Sequence, residues 1–422
     1  MLLKRTLLVL TALVAVALLP GCLRDTCTTT RTYVRFDPVY KSPSEFRVGV
    51  KAEAPRPLKN PGKMYLIGDY LLINELHEGI HVLDNSNPAN PTPVVFWNIP
   101  GNVDMAVRDH YLYADQYVDL LSIDISDLQN PTLSCRSEAV FQLHGFDPER
   151  GFLVDYLQTP ITETVDCNDP RWGDVWFMEG DALFVSNASI SSYGPVRTGS
   201  GLPAGIGIAG SYSRFGQYDQ YLYCVDNSTL RTFSVASPGC PSALEAIQIG
   251  WNIETIFPWK DRLFVGSQTG VFIFNVTNPA LPVQEAAFSH ASGCDPVVCD
   301  DENAYVTIHD GTTCNGTFNQ LDVIDIRNLP ATTLRKTYPM TKPKGLSTVG
   351  KYLYLCDDGL KIFDKTDPLN LRQLSHLKDI VTYDVIALDE THILVVGDGG
   401  FFQYDMSDPT APRKISQILV TP

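Results

Sequence analysis

The stretch HILVVGDGGFFQYDMSDP, residues 392–409, decides the fold. It holds two apolar runs in which β-branched and aromatic residues alternate, and it closes on Asp405 and Pro409. Alternation with period 2 marks a half-buried strand. An acidic or amide residue just ahead of a proline marks a turn, because its side-chain oxygen accepts a backbone N–H while the ring presets φ. The same pattern lies one step upstream, where Tyr352-Leu353-Tyr354 leads to LKIFDKTDP with Asp364 and Pro368. Further upstream the anchors are Asp84, Asp124, Asp166, Ser234, Asn275 and Asp325, followed by Pro88, Pro131, Pro170, Pro238, Pro279 and Pro330. The steps between successive anchors are 40, 42, 68, 41, 50, 39 and 41 residues. The two long steps contain insertions, Tyr193–Ser211 and His309–Asn319.

A unit of this length made of short strands cannot bury its apolar faces alone and needs stacked neighbours. Radial closure does this while leaving only short edges. The expectation is an all-β chain forming a single β-propeller of four-stranded blades over residues 64–422, with eight blades. The interval from aromatic-led run to anchor supports that count: 14 from Tyr70, 13 from Tyr111, 14 from Phe152, 13 from Tyr221 and 12 from Tyr352. Seven blades follow if the third unit, ITETVDCNDP, is only an insertion. Naming the strands a to d from the inside out, the fifth unit reads IETIFPWK, RLFVGS, GVFIFNV and PVQEAAFS.

The amino terminus places the chain. Lys4 and Arg5 precede the apolar stretch Leu7 to Leu19, which runs into Leu19-Pro20-Gly21-Cys22. A basic start and a short apolar core make residues 1–21 a secretory signal, too short for a membrane span. The ending resembles the bacterial lipobox, which implies a diacylglyceryl thioether on Cys22 and anchorage in a membrane. Leu23 rather than Asp follows the cysteine, which points to the outer membrane. Residues 22–63 show no clean strand pattern and read as a tether and lead-in lying against the propeller.

Composition narrows the partners. The chain carries 32 Lys and Arg against 48 Asp and Glu, a net charge of −16, which argues against nucleic acid. Ten cysteines suit an oxidising envelope. Cys294 with Cys314 is the first expected disulfide and Cys135 with Cys167 the second, while Cys224 and Cys356 in b strands read as buried thiols.

The units resemble the LVIVD repeat of bacterial cell-surface proteins, in the runs LLSIDISDLQNP, LDVIDIRNLP and FFQYDMSDP. The segment EAPRPLKNPGKMYLIGDYLLINELHEGIHVLDNSNPANP is similar to lipoproteins of this family from Bacteroidetes-type bacteria. The resemblance spans about residues 64–420 and implies an exported propeller with no named catalytic residue. Units three and four depart from the motif at Cys167 and Val235.

Enzyme signatures are sparse. The run GLPAGIGIAG lacks the Lys-Ser/Thr ending of a phosphate loop, and Gly-x-Ser-x-Gly does not occur. His77 and His81, with Glu75 and Glu78, form a weak metal-ligand set. In a propeller the b–c loops and d–a connections emerge on one face, and polar residues recur there. The expected ligand set is Glu75, His77, Asp115, Tyr117, Gln268, His309, Asp310, Asp357 and Asp398, with both insertions overhanging it. Two functions follow: a lipid-anchored binding or scaffold protein for a protein, peptide or glycan, or an envelope hydrolase or lyase using His309, Asp310 and a cation. The carboxylates suggest a cationic partner or one bridged by calcium.

Overall fold

The computed structural model describes residues 27–142, 145–167, 169, 176–179, 182–186, 208–209, 211–250, 252–289, 296–309 and 318–421. The chain divides into two compact units, one taking residues up to Val39 together with 155–192, the other 40–154 and 193–422.

The larger unit is the propeller. Seven sheets of consecutive strands form its blades: residues 61–98, 105–137, 215–248, 253–289, 297–339, 346–377 and 382–419, here blades 1 to 7. Inner strands of successive blades neighbour one another, and blade 7 lies beside blade 1, so the ring closes. Blade 4 is the plainest, with strands Ile253–Trp259, Arg262–Ser267, Gly270–Asn275 and Val283–Ser289, the four expected from sequence. Apolar residues of facing blades make continuous layers, such as Tyr223, Val225 and Leu230 of blade 3 against Ile256, Leu263 and Phe274 of blade 4.

The repeated Asp–Pro turn does two jobs. Its anchor oxygen accepts the N–H two residues on, at 2.9 Å from Ser86 to Asp84, Ser126 to Asp124 and Ser407 to Asp405. The proline carbonyl then accepts a bond from the preceding blade: Tyr113 to Pro238, Tyr223 to Pro279, Tyr338 to Pro368, Ser375 to Pro409 and Gln403 to Pro88. Strand d carries one extra residue just past the turn in all seven blades, a bulge that bends the outer strand and sharpens its twist. Tyr223→Phe is therefore expected to lower stability by about 1 kcal/mol, the net worth of one bond of 2.7 Å, measured by urea unfolding. An unchanged midpoint would mean the clasp contributes nothing.

The third sequence unit is not a blade. Gly151–Asp166 is one continuous strand of 16 residues, where the other units fit strands b and c joined by a turn. A run-to-anchor interval cannot distinguish one long strand from a hairpin, which is why the spacing pointed to eight blades. The ring passes directly from blade 2 to blade 3.

The smaller unit is built on a separate sheet in which Thr28–Lys41 lies between Gly151–Asp166 and Ala182–Ser186, with Trp176–Glu179 beyond the latter. A disulfide joins Cys27 to Cys167. The lead-in thus contains a long strand that its Thr-rich sequence did not signal. It also contains the helical turn Pro43–Phe46 and the short strand Lys51–Glu53, which extends blade 1 at its outer edge.

The disulfide expected between Cys135 and Cys167 is not formed: Cys135 joins Cys240 across blades 2 and 3. Cys224 and Cys356 are buried thiols, as expected, and so is Cys299. Cys22, Cys294 and Cys314 lie outside the described residues.

Candidate functional site

The b–c face of blades 1 and 2 is occupied by the chain itself. Glu75, at the end of strand b in blade 1, is buried. Its carboxylate accepts bonds from the backbone N–H of Lys59 (3.0 Å) and of Asn60, and it meets His81 Nε2 at 2.8 Å. Burial pushes its pKa up, but the His81 bond and the two backbone donors outweigh this and leave it below the ordinary value. His81 is thus bound to Glu75 in a nearly dry site. His77 adopts a left-handed backbone (φ 62°), and its N–H donates to Asn102 O at 2.9 Å. No group of three or more metal-ligating side chains exists among the described residues, so the His77, His81, Glu75 and Glu78 set is not assembled.

Blade 2 repeats the pattern with different partners. Asp115 is buried, and its Oδ1 accepts the N–H of Val103 (2.7 Å) and Asp104 (2.9 Å) and the Asn102 amide (2.9 Å). Its Oδ2 pairs with Arg214 at 2.7 Å, yet burial still pushes its pKa up. Tyr117 packs edge-on against Phe46 with ring centroids 5.2 Å apart, and its hydroxyl accepts a bond from Lys41 Nζ at 3.1 Å. Arg47 reaches the buried Asp119 at 2.8 Å, which Arg136 also holds, at 2.9 Å. The lead-in from Lys41 to Asn60 engages Glu75 and Tyr117 of the residues that sequence reading assigned to a ligand on these blades, whereas Asp115 is held by its own blade and Arg214.

The other blades differ. Gln268 in blade 4 is half-buried and donates to Glu254 at 2.9 Å. His309 in blade 5 is half-buried, with its Nε2 at 3.4 Å from the Tyr212 hydroxyl, and Asp310 lies outside the described residues. Asp357 in blade 6 is buried, accepting the N–H of Thr341 (3.0 Å) and Lys342 (2.6 Å) and pairing with Lys361 at 2.6 Å. Asp398 in blade 7 is exposed. The eight described residues of the set therefore do not form one cluster. Glu75, Asp115 and Asp357 fasten backbone, whereas Gln268, His309 and Asp398 retain accessible surface.

The channel holds what sequence reading missed. Residues Ile208–Ala209 pair with Leu66 and Tyr65 on the inner edge of blade 1, inside the ring. The described end of the first insertion thus enters the channel instead of overhanging the face, and most of the second lies outside the described residues. Beyond this strand, Ser211 reaches Asp384 of blade 7, and the Ile256 N–H of blade 4 donates to Ser213 O at 2.7 Å. The Arg214 N–H donates to Asp104 at 2.6 Å, and Lys63 is ion-paired with Asp104 where both are buried. Burial lowers the Lys63 pKa to about 8 and raises that of Asp384 to about 7. One signal was readable: Lys63, Asp104, Arg214, Glu254 and Asp384 are charges set at the same end of otherwise apolar inner strands.

Chemically, these groups are ion pairs and backbone fasteners. The three free thiols among the described residues are buried, which pushes their pKa up and keeps them protonated and unreactive.

The LVIVD repeat model matches residues 63–96 and 101–138, within the two blades that the lead-in covers. The matched segments are blade 1 from strand a into strand d and nearly all of blade 2. No curated protein matches the chain significantly. Among solved structures, the chain is similar to the computationally designed Ika8 protein, at 8% identity over 87% of this chain and 90% of that one, with a TM-score of 0.50. It is also similar to a functionally unknown protein from Desulfotomaculum acetoxidans (10% identity, 85% and 95% coverage, TM-score 0.48). A third is BamB from Moraxella catarrhalis (8%, 78% and 77%, 0.45). At such identities the likeness concerns fold alone.

Proposed function

We propose that this LVIVD-repeat propeller is an exported, lipid-anchored binding or scaffold protein of the bacterial envelope, with its ligand surface on the b–c face of blades 4 to 7. The observation that carries the reading is the unequal use of that face. The lead-in covers blades 1 and 2 through Phe46, Arg47 and the two N–H donors to Glu75. On the remaining blades Gln268, His309 and Asp398 keep exposure, and Phe318, in the b–c connection of blade 5, is 53% exposed. Loops free of packing duty are where a repetitive scaffold acquires a partner. The lipobox at Cys22 and the two disulfides suit an oxidising compartment outside the cytoplasm.

Two measurements test this. Cys22→Ser is expected to move the protein from the membrane to the soluble fraction with its folded body intact; normal processing with unchanged membrane retention rules out the anchor. A peptide and glycan array, read with and without calcium, is expected to give hits that Asp398→Ala or Phe318→Ala weakens about tenfold while Tyr117→Ala spares them. Loss only in Tyr117→Ala places the surface on the wrong blades.

A further inference from the structure

The junction between blades 7 and 1 has no chain running through it. Every other junction is crossed by the covalent link from one blade to the next, whereas blades 7 and 1 are not consecutive in sequence. Nor do blades 1 and 7 exchange a strand, since residues 61–98 and 382–419 each supply all four strands of their own blade. The outer contacts at this seam are modest. Asn85 and Gln403 exchange amide bonds at 2.7 and 3.3 Å, Gln403 reaches Pro88 O at 3.1 Å, and the Thr421 N–H donates to Leu58 O at 2.8 Å. Behind them lies an apolar layer that includes Met64, Leu71 and Ile73 of blade 1 and Ile386, Leu394 and Phe401 of blade 7.

The inner side of the seam is bridged by a segment from elsewhere in the chain. Ile208–Ala209 adds a strand to the channel edge of blade 1 through Tyr65 and Leu66. Two residues on, the Ser211 N–H and hydroxyl both donate to Asp384 Oδ1 of blade 7 at 2.9 Å. The same hydroxyl accepts the Leu346 N–H of blade 6 at 2.7 Å. Ser211 is 2% exposed and Asp384 3%, so water cannot replace these bonds once they break.

We propose that Ile208–Ala209 and Ser211 are the conformational lock of the ring, fastening blade 1 to blade 7 from within the channel in place of an exchanged strand. Blades 7 and 1 then open before any other pair when the lock is removed, because no peptide link holds them.

Hydrogen exchange of the full chain tests this. Asp384→Ala removes the acceptor of both Ser211 bonds. It is expected to speed amide exchange in residues 61–67 and 382–389 about tenfold or more, the scale set by losing bonds to a buried carboxylate, with blade 4 unchanged at residues 253–275. Asp384→Asn retains an acceptor oxygen and is expected to exchange like the native protein. If Asp384→Ala does not accumulate folded, Ser211→Ala reads the same split at smaller amplitude. A uniform rise over all seven blades, or no rise at the seam, overturns the lock.

Discussion

Asp115→Ala is expected to cost about 3–5 kcal/mol of unfolding free energy, the range for removing one partner of a buried ion pair. The carboxylate is 2% exposed and accepts three bonds through one oxygen while holding Arg214 with the other. Its loss leaves the N–H groups of Val103 and Asp104 without acceptors at the entry to blade 2. It also strands a guanidinium beside the buried Lys63. Urea unfolding of the single variants and of Asp115→Ala with Arg214→Ala would show the coupling as a smaller cost for the pair than for the sum. A loss below about 1 kcal/mol for the single variant would mean that solvent reaches the site and the burial argument fails. The same residue stood in the ligand set read from sequence, so ligand loss without a stability loss would restore that role.

The second large effect is with pH. Burial lifts the Asp384 pKa from 3.8 to about 7, against the opposing bonds from Ser211 and Val385 and the charge of Lys63. The native state therefore keeps a proton that the unfolded chain releases. Stability must fall as pH rises from about 4 to about 7, then level off, with a total on the order of 4 kcal/mol from this group. Asp115 shifts in the same direction. The turn carboxylates shift oppositely: Asp325 is held down to about 2 by its bonds with Arg327, and Asp84 and Asp124 are also lowered. Their contribution is present above pH 4 and is lost on further acidification, so the two effects occupy separate windows. Asp384→Asn is expected to flatten the slope between pH 4 and 7 and leave the acid limb in place. A native protein whose melting temperature rises from pH 5 to pH 7 would contradict the assignment.

How much of this was legible follows from what each residue answers to. The blades were readable because each strand must satisfy alternation and each turn needs its Asp or Asn and its proline, demands made locally on every repeat. Gly151–Asp166 escaped because its length equals that of a hairpin plus its turn, and its neighbours in the sheet are Thr28–Lys41 and Phe146–Asp147, the former more than a hundred residues away. The ligand set failed in part for a related reason. Glu75 and Asp115 are polar at loop positions, and nothing local distinguishes a carboxylate waiting for a ligand from one already holding Lys59 or Arg214. The charged ends of the inner strands were visible as an oddity, but their meaning depended on a channel segment drawn from an insertion.

The bond between Cys135 and Cys240 has a consequence for what the ring can carry. It ties blade 2 to blade 3 across 105 residues, a span that contains the entire excursion into the smaller unit. Without it, the two blades would have to find each other at the ends of a long, freely varying chain, and closing a loop of that size costs about 5 kcal/mol in the chain-entropy model. With it, the two blades stay joined whatever residues 155–192 do. The excursion then becomes cargo: its length, sequence and fold can change, or be exchanged for another domain, with little toll on the host.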